Sequence, residues 1–351
     1  MTISTWKSGG IEYNDTGNWD AGVPSTASDT AVFAATAITE VDINTNEKPG
    51  GWVFNPGTTQ YNFVISSGAI LEFENGGIAK NAGSVKIFNF FEINFSSNST
   101  AGEASIDNFL ALVFLKNSTA GNATIHTFAD KSDVGTVFGD NATAGSAQLI
   151  TDAGAFVDFS DSAGPDGLGH VTAGSIAGAG TYKLGGDRLT VGLNGLSTEV
   201  SGPIEDGGLI SVTGASLVKV GHGTLKLSHA GNTYSGGTIL EAGTLDAAAL
   251  RAVGTGDVTF AGAATLKIDN AALSAHHFGN AIDAFARHDV LDLAGLKFHA
   301  GATATYHKAS HHLSVHSGTI TDTLTLMSPH GTHFAVAGDG HGGSDVFLLH
   351  A

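Results

Sequence analysis

The sequence predicts an all-β chain wound as a single elongated β-solenoid, and three observations carry that expectation. Short runs of alternating apolar and polar residues, such as Thr224 to Leu227 and Thr244 to Asp246, are each bounded by glycine turns, the pattern of half-buried strands. Ala-Gly pairs recur at 82, 101, 120 and 144, at spacings of 19, 19 and 24 that suit one coil of two or three strands. Glycine at 49 residues, proline at 6, and 42% hydrophobic against 14% charged residues describe a turn-rich folded chain rather than a disordered one. A unit of this size cannot bury its apolar face alone, so it stacks on its neighbours.

Residues 1–59 read as an N-terminal cap with the first strands. A first rung leaves an open edge, and the bulky residues Trp6, Trp19 and Trp52 are suited to cover it. Stacking on a sugar is the alternative role for these indoles.

Residues 60–215 read as solenoid rungs with Ala-Gly corners, where successive backbones approach closely. The runs 88–95 and 109–115 are apolar enough to be buried on most sides, as interior phenylalanine ladders at about 4.8 Å spacing. Sequons at Asn98, Asn117, Asn122 and Asn141 are explained by stacked Asn and Thr turns without any sugar. Asp158, Asp161 and Asp166 gather oxygen ligands in one stretch, a candidate calcium loop whose spacing fits neither an EF-hand nor a glycine-rich nonapeptide; a solvated loop is the alternative.

Residues 216–275 are the most regular part. Lys219, Gly221, Gly223-Thr224-Leu225, Leu227, Asn232-Thr233-Tyr234, Gly236-Gly237-Thr238 and Gly243-Thr244-Leu245 fall in one order, and that order resembles the autotransporter-associated β-strand repeat of bacterial surface passenger domains. The resemblance implies a right-handed parallel β-helix and no particular chemistry. Trp6, Asn18-Trp19 and Pro24 to Asp29 are similar to the opening of such proteins, and Asp339 to Gly343 to their terminal turn.

Residues 276–351 hold 12 of the 16 histidines. In 311–318, Leu313 and Val315 are expected to point inward and His312, Ser314 and His316 outward. His312 and His316 then stand about 13 Å apart, too far to share an ion. Stacked rungs bring others closer: His299, His307 and His316 form a candidate ladder for a divalent transition ion, with His312 beside them. The other reading is a titratable face, since protonating every histidine brings the formal charge from −18 to −2 and strengthens association at mildly acidic pH.

Composition narrows the function classes. A charge of −18 argues against nucleic acid and anionic membranes, and no run of 18 apolar residues predicts a membrane-spanning helix. Cysteine is absent, which excludes thiolate chemistry and fits export. The first ten residues carry no leader pattern, so either a leader was removed or export does not use one. Ser344 to Ala351, an acidic residue followed by apolar ones, resembles the uncleaved tail read by type I secretion; a last strand closing the solenoid is the alternative. With three arginines, no paired carboxylates in a repeated context and no nucleophile elbow, no enzyme is expected.

The sequence therefore predicts roughly 15 rungs, about 70 to 80 Å in all at strand spacing. The expected role is a secreted structural protein of a bacterial surface, self-assembling through open solenoid ends and edges into a layer, filament or matrix. An adhesin binding host or cell-surface glycans is the alternative, and a polysaccharide-active enzyme the second.

Overall fold

The computed structural model describes residues 1–7, 9–66, 68–129 and 135–349. It is an all-β parallel solenoid of about 12 turns. Helix among the described residues is confined to two single 3-10 turns, Thr16–Asn18 and Asn270–Ala272. The coil is shorter than the roughly 15 rungs expected because the chain's beginning is an irregular cap and its end is antiparallel. Two compact units divide it: Met1–Gly174 with Gly178–Lys183 and Gly208–Ile210, and the remainder, Ser175–Ala177, Leu184–Gly207 and Ser211–Ala351.

In the first unit the sequence period is the rung. Lys86, Ser105, Thr124 and Gln148 stand in register on successive parallel strands, so the coil advances by 19, 19 and then 24 residues. The extra five residues fall between Thr127, which still pairs with Asn108, and Gly135, which pairs with Ala111. Asp130–Val134 lie outside the described residues. The strands on both sides of the insertion keep their register.

The Ala-Gly corners at 101, 120 and 144 are each closed by a threonine. The hydroxyls of Thr100, Thr119 and Thr143 accept from the amides of Gly102, Gly121 and Gly145 at 3.0, 3.0 and 3.3 Å. Gly121 has φ +65°, and a Cβ there would lie 2.8 Å from Thr100 Oγ1 and 2.9 Å from the Gly102 carbonyl. Only glycine meets both demands.

Two phenylalanine ladders run along this unit. Phe73, Phe95, Phe114, Phe138 and Phe159 are fully buried, with ring centroids 4.8 to 5.0 Å apart. Phe90, Phe109 and Phe128 stack as closely, at 4.7 and 4.8 Å, but on the outside, where Phe90 is 39% exposed. The inner side of that corner belongs to asparagine instead, Asn89 Nδ2 donating to Asn108 Oδ1 at 2.8 Å. The aromatic run at 88–95 is thus split between core and surface, which corrects the expectation that it is buried on most sides.

The second unit starts as the same coil. Strands Thr224–Leu227, Gly243–Ala247, Ala264–Ile268 and Val290–Leu293 pair in parallel on one face, and Arg188–Val191, Ser216–Lys219, Thr238–Leu240 and Val258–Phe260 on another. Then direction reverses. Ser344–Leu348 inserts antiparallel between Val290–Leu293 and Phe334–Gly338. Thr303–His307, His312–Ser317 and Ile320–Leu326 form an antiparallel meander, and a bridge from Thr305 to His333 joins its outer strand to the segment entering Phe334–Gly338.

The N-terminal end of the first unit is closed too. Asp42 donates to the Ile11 carbonyl at 2.8 Å and accepts from the Tyr13 amide at 2.9 Å. Lys7 donates to Asn18 at 2.7 Å and Asp20 to Thr5 at 3.1 Å. One segment, residues 11–20, thereby occupies backbone groups of two end strands at once.

Candidate functional site

The three tryptophans join one N-terminal aromatic cluster, Trp6 and Trp19 in the irregular cap and Trp52 not in it but on the parallel rung strand Gly51–Phe54. Trp6, Trp19 and Trp52 are at most 3% exposed and pack with Tyr13 and Phe33. Trp6 and Trp19 meet edge to face at 5.1 Å, and Trp19 Nε1 donates to the Tyr13 carbonyl at 2.6 Å. Their faces are spent on one another, which leaves no indole surface for a sugar to stack on.

The acidic stretch is dispersed rather than gathered. Asp158 is buried in strand Phe156–Ser162, where one oxygen accepts from Ser160 N and the other from Leu209 N, both at 2.9 Å. Ser160 Oγ accepts from Ile210 N at 3.0 Å, so segment Gly208–Ile210 is clamped over the strand. A register shift between Val137 and Gly139 marks a bulge here, which lets Phe159 continue the inner ladder. Asp161 is exposed, and Asp166 accepts from Leu168 N and sits 2.6 Å from His170 Nδ1. Backbone amides and an imidazole thus take oxygens of Asp158 and Asp166 that a calcium ion would need.

The histidine-rich strands follow the inward and outward alternation expected of them: Leu313 and Val315 are fully buried, while His312 and His316 are exposed. Their neighbours differ from those of a stacked coil. Because the strands are antiparallel, His307 stands directly opposite His312, whereas His316 faces Thr303 and Thr321. His299 lies before the meander, its amide donating to Ser317 Oγ at 2.9 Å. His299, His307 and His316 therefore do not form a ladder, and no group of three metal-ligating side chains occurs among the described residues.

Two arrangements were not read from the sequence. His276 Nδ1 lies 2.7 Å from Asp322 Oδ1, and Asp322 is only 2% exposed, so a buried carboxylate fixes a surface imidazole. These residues are 46 apart and carry no local signal. The second is a transverse ladder of charge, Glu199, Lys226, Asp246, Lys267, Asp292 and Asp345, each in register with the next. Lys226 pairs with Glu199 at 3.3 Å and Lys267 with Asp246 at 2.8 Å. The recurrent runs TLKL, TLDA, TLKI and VLDL carried this signal. Alternation fails at the last step, where burial and the neighbouring Asp345 and Asp339 push Asp292 up to about 6. Burial raises Asp345 as well, with Asp339 adding to it.

The regular repeat spends its polar side chains on stacking. Lys219, 1% exposed, donates to the carbonyls of Val220, Gly221 and Ala242 at 2.7, 3.0 and 3.2 Å, and burial lowers it to about 8. Asn232 accepts from Ile204 N at 2.9 Å and donates to the Ala252 carbonyl at 2.6 Å, which ties three successive turns together. A Cβ on Gly243 would sit 2.3 Å from the Gly221 carbonyl. The chain is thus a parallel β-solenoid that fits an autotransporter-associated β-strand repeat protein. Residues 217–247 match the family model described as passenger-associated-transport-repeat. No curated protein and no solved structure matches the chain. Repeat and coil together point to a bacterial passenger or surface β-helix domain.

Proposed function

We propose that this chain is a structural, non-catalytic module displayed on or released from a bacterial surface, and that it associates through its sides rather than its ends. The observation that supports this reading is the occupation of the terminal strands. Residues 11–20 hydrogen-bond to the N-terminal strands, and the bridge from Thr305 to His333 joins the outer strands at the C-terminal side. Addition of a copy by strand pairing at these places first has to displace the cap.

Side-on contact fits a self-assembling layer or matrix, because the ridge of Phe90, Phe109 and Phe128 offers apolar area outside the core. Negative-stain microscopy of the purified chain tests the reading. Side-by-side sheets or bundles are expected, and thin end-to-end filaments would overturn it. A monomer that binds cells or glycans would transfer the assignment to an adhesin. Ser344–Leu348 is the next-to-last strand of its sheet, paired on both sides, and His350 and Ala351 of the tail lie outside the described residues. Export by type I secretion remains part of the proposal, with the tail read while the chain is unfolded.

A further inference from the structure

The second unit contains a cavity of about 660 Å³ whose walls are the turn around Arg251 and the hairpin Leu273–Asp283. Arg251, Thr255, Ser274, His277 and Asn280 line it, and no carboxylate does. That is notable in a chain with 33 acidic residues and three arginines. Its volume falls within the range of small-molecule sites.

The walls are tied together. Asn280 Nδ2 donates to the carbonyls of Gly254 and Gly256 at 3.1 and 2.7 Å, which leaves Oδ1 as its remaining hydrogen-bonding atom. The hairpin tip is pinned through His276 to buried Asp322. The backbone is also strained on both sides: Arg251 has φ +57°, and Ala275 and His276 have φ +48° and +66°. Each costs about 1 kcal/mol relative to glycine. At Arg251 the side chain is the one thing glycine could not supply. Among the described residues Arg251 has no carboxylate within ion-pair distance.

We propose that this cavity binds a carboxylate-bearing sugar residue, such as a uronic acid at the end of a glycan. The guanidinium supplies the bidentate partner a carboxylate needs. Thr255, Ser274, His277 and Asn280 supply donors and acceptors for sugar hydroxyls. The net charge of −18 repels extended polyanions, so a single acidic unit on an otherwise neutral glycan is the ligand that fits. The inference stands on the cavity alone, and its failure would leave the structural reading intact.

Saturation-transfer NMR of the full chain with glucuronate, glucose and acetate tests it, with Arg251→Gly as the variant. Glycine adopts the same backbone without strain, so the variant is expected to melt no lower than the parent. Glucuronate is expected to saturate in the millimolar range, with glucose and acetate at least tenfold weaker and glucuronate binding at least tenfold weaker in the variant. Equal binding of glucose, equal binding of acetate, unchanged binding by the variant, or no transfer to glucuronate would each overturn the proposal.

Discussion

Asp292 stands directly opposite Asp345 across the antiparallel pair that ends the parallel coil, and Oδ1 of Asp292 is buried without a hydrogen-bond donor among the described residues. Four alternating steps of charge precede this pair, so the repulsion is concentrated where the strand direction changes.

Asp292 carries a folded-state pKa of about 6 against an ordinary 3.8, so the folded chain holds a proton that the unfolded chain releases. Its stabilising contribution is complete below about pH 3.8 and is lost as the pH rises through about 6. Asp292→Asn is expected to stabilise by about 1 kcal/mol at pH 7.5, a figure discounted for partial exposure, and to change little at pH 4. Thermal melts of both proteins at the two pH values check this.

Lys219→Met keeps the length of the side chain but strands three carbonyl groups that the ammonium serves. A loss of about 2–4 kcal/mol is expected in denaturant unfolding. A loss below about 0.5 kcal/mol would show that water replaces the ammonium.

The two aromatic ladders separate burial from stacking. Phe114→Ala removes a fully buried ring and is expected to cost about 3–5 kcal/mol. Phe90→Ala removes an equally well stacked ring from the surface and is expected to cost about 1 kcal/mol. If the exposed ridge mediates side-on contact, Phe90→Ala also dissolves the assemblies seen by microscopy.

His307 and His312, facing each other across a hairpin, are expected to share one Cu(II) or Ni(II) ion. Titration calorimetry should show at least tenfold weaker binding for His307→Ala and for His312→Ala, and no change for His299→Ala.

Sedimentation velocity at pH 7.5 and 5.5 addresses the histidine-rich face. Heavier species are expected at pH 5.5 than at pH 7.5. An identical distribution would exclude charge as the brake on association.

Much of the coil was legible because a stacked rung repeats its demands in the sequence. Gly102, Gly121 and Gly145 recur at the spacing at which they meet the preceding turn, and the repeat around Lys219 reads off nearly residue by residue. Strand direction was not legible. Alternation in Thr303–His307 and His312–Ser317 fixes which side chains face inward, yet it is the same for parallel and antiparallel neighbours, so it cannot show that His307 stands opposite His312. Asp158 reads from the sequence as either an ion ligand or part of a solvated loop, because its distant partner Leu209 lies 51 residues away in a loop with no pattern of its own.

The five-residue insertion between Thr127 and Gly135 carries a practical meaning. Rungs of 19 and 24 residues sit side by side with their strands in unbroken register, so the stack tolerates extra length between them. Lengthening a connection between two fixed strands costs only about 0.6 kcal/mol per doubling. Peptides or epitopes grafted at this point of the chain are expected to leave the strands on either side in register, while the scaffold stays the same.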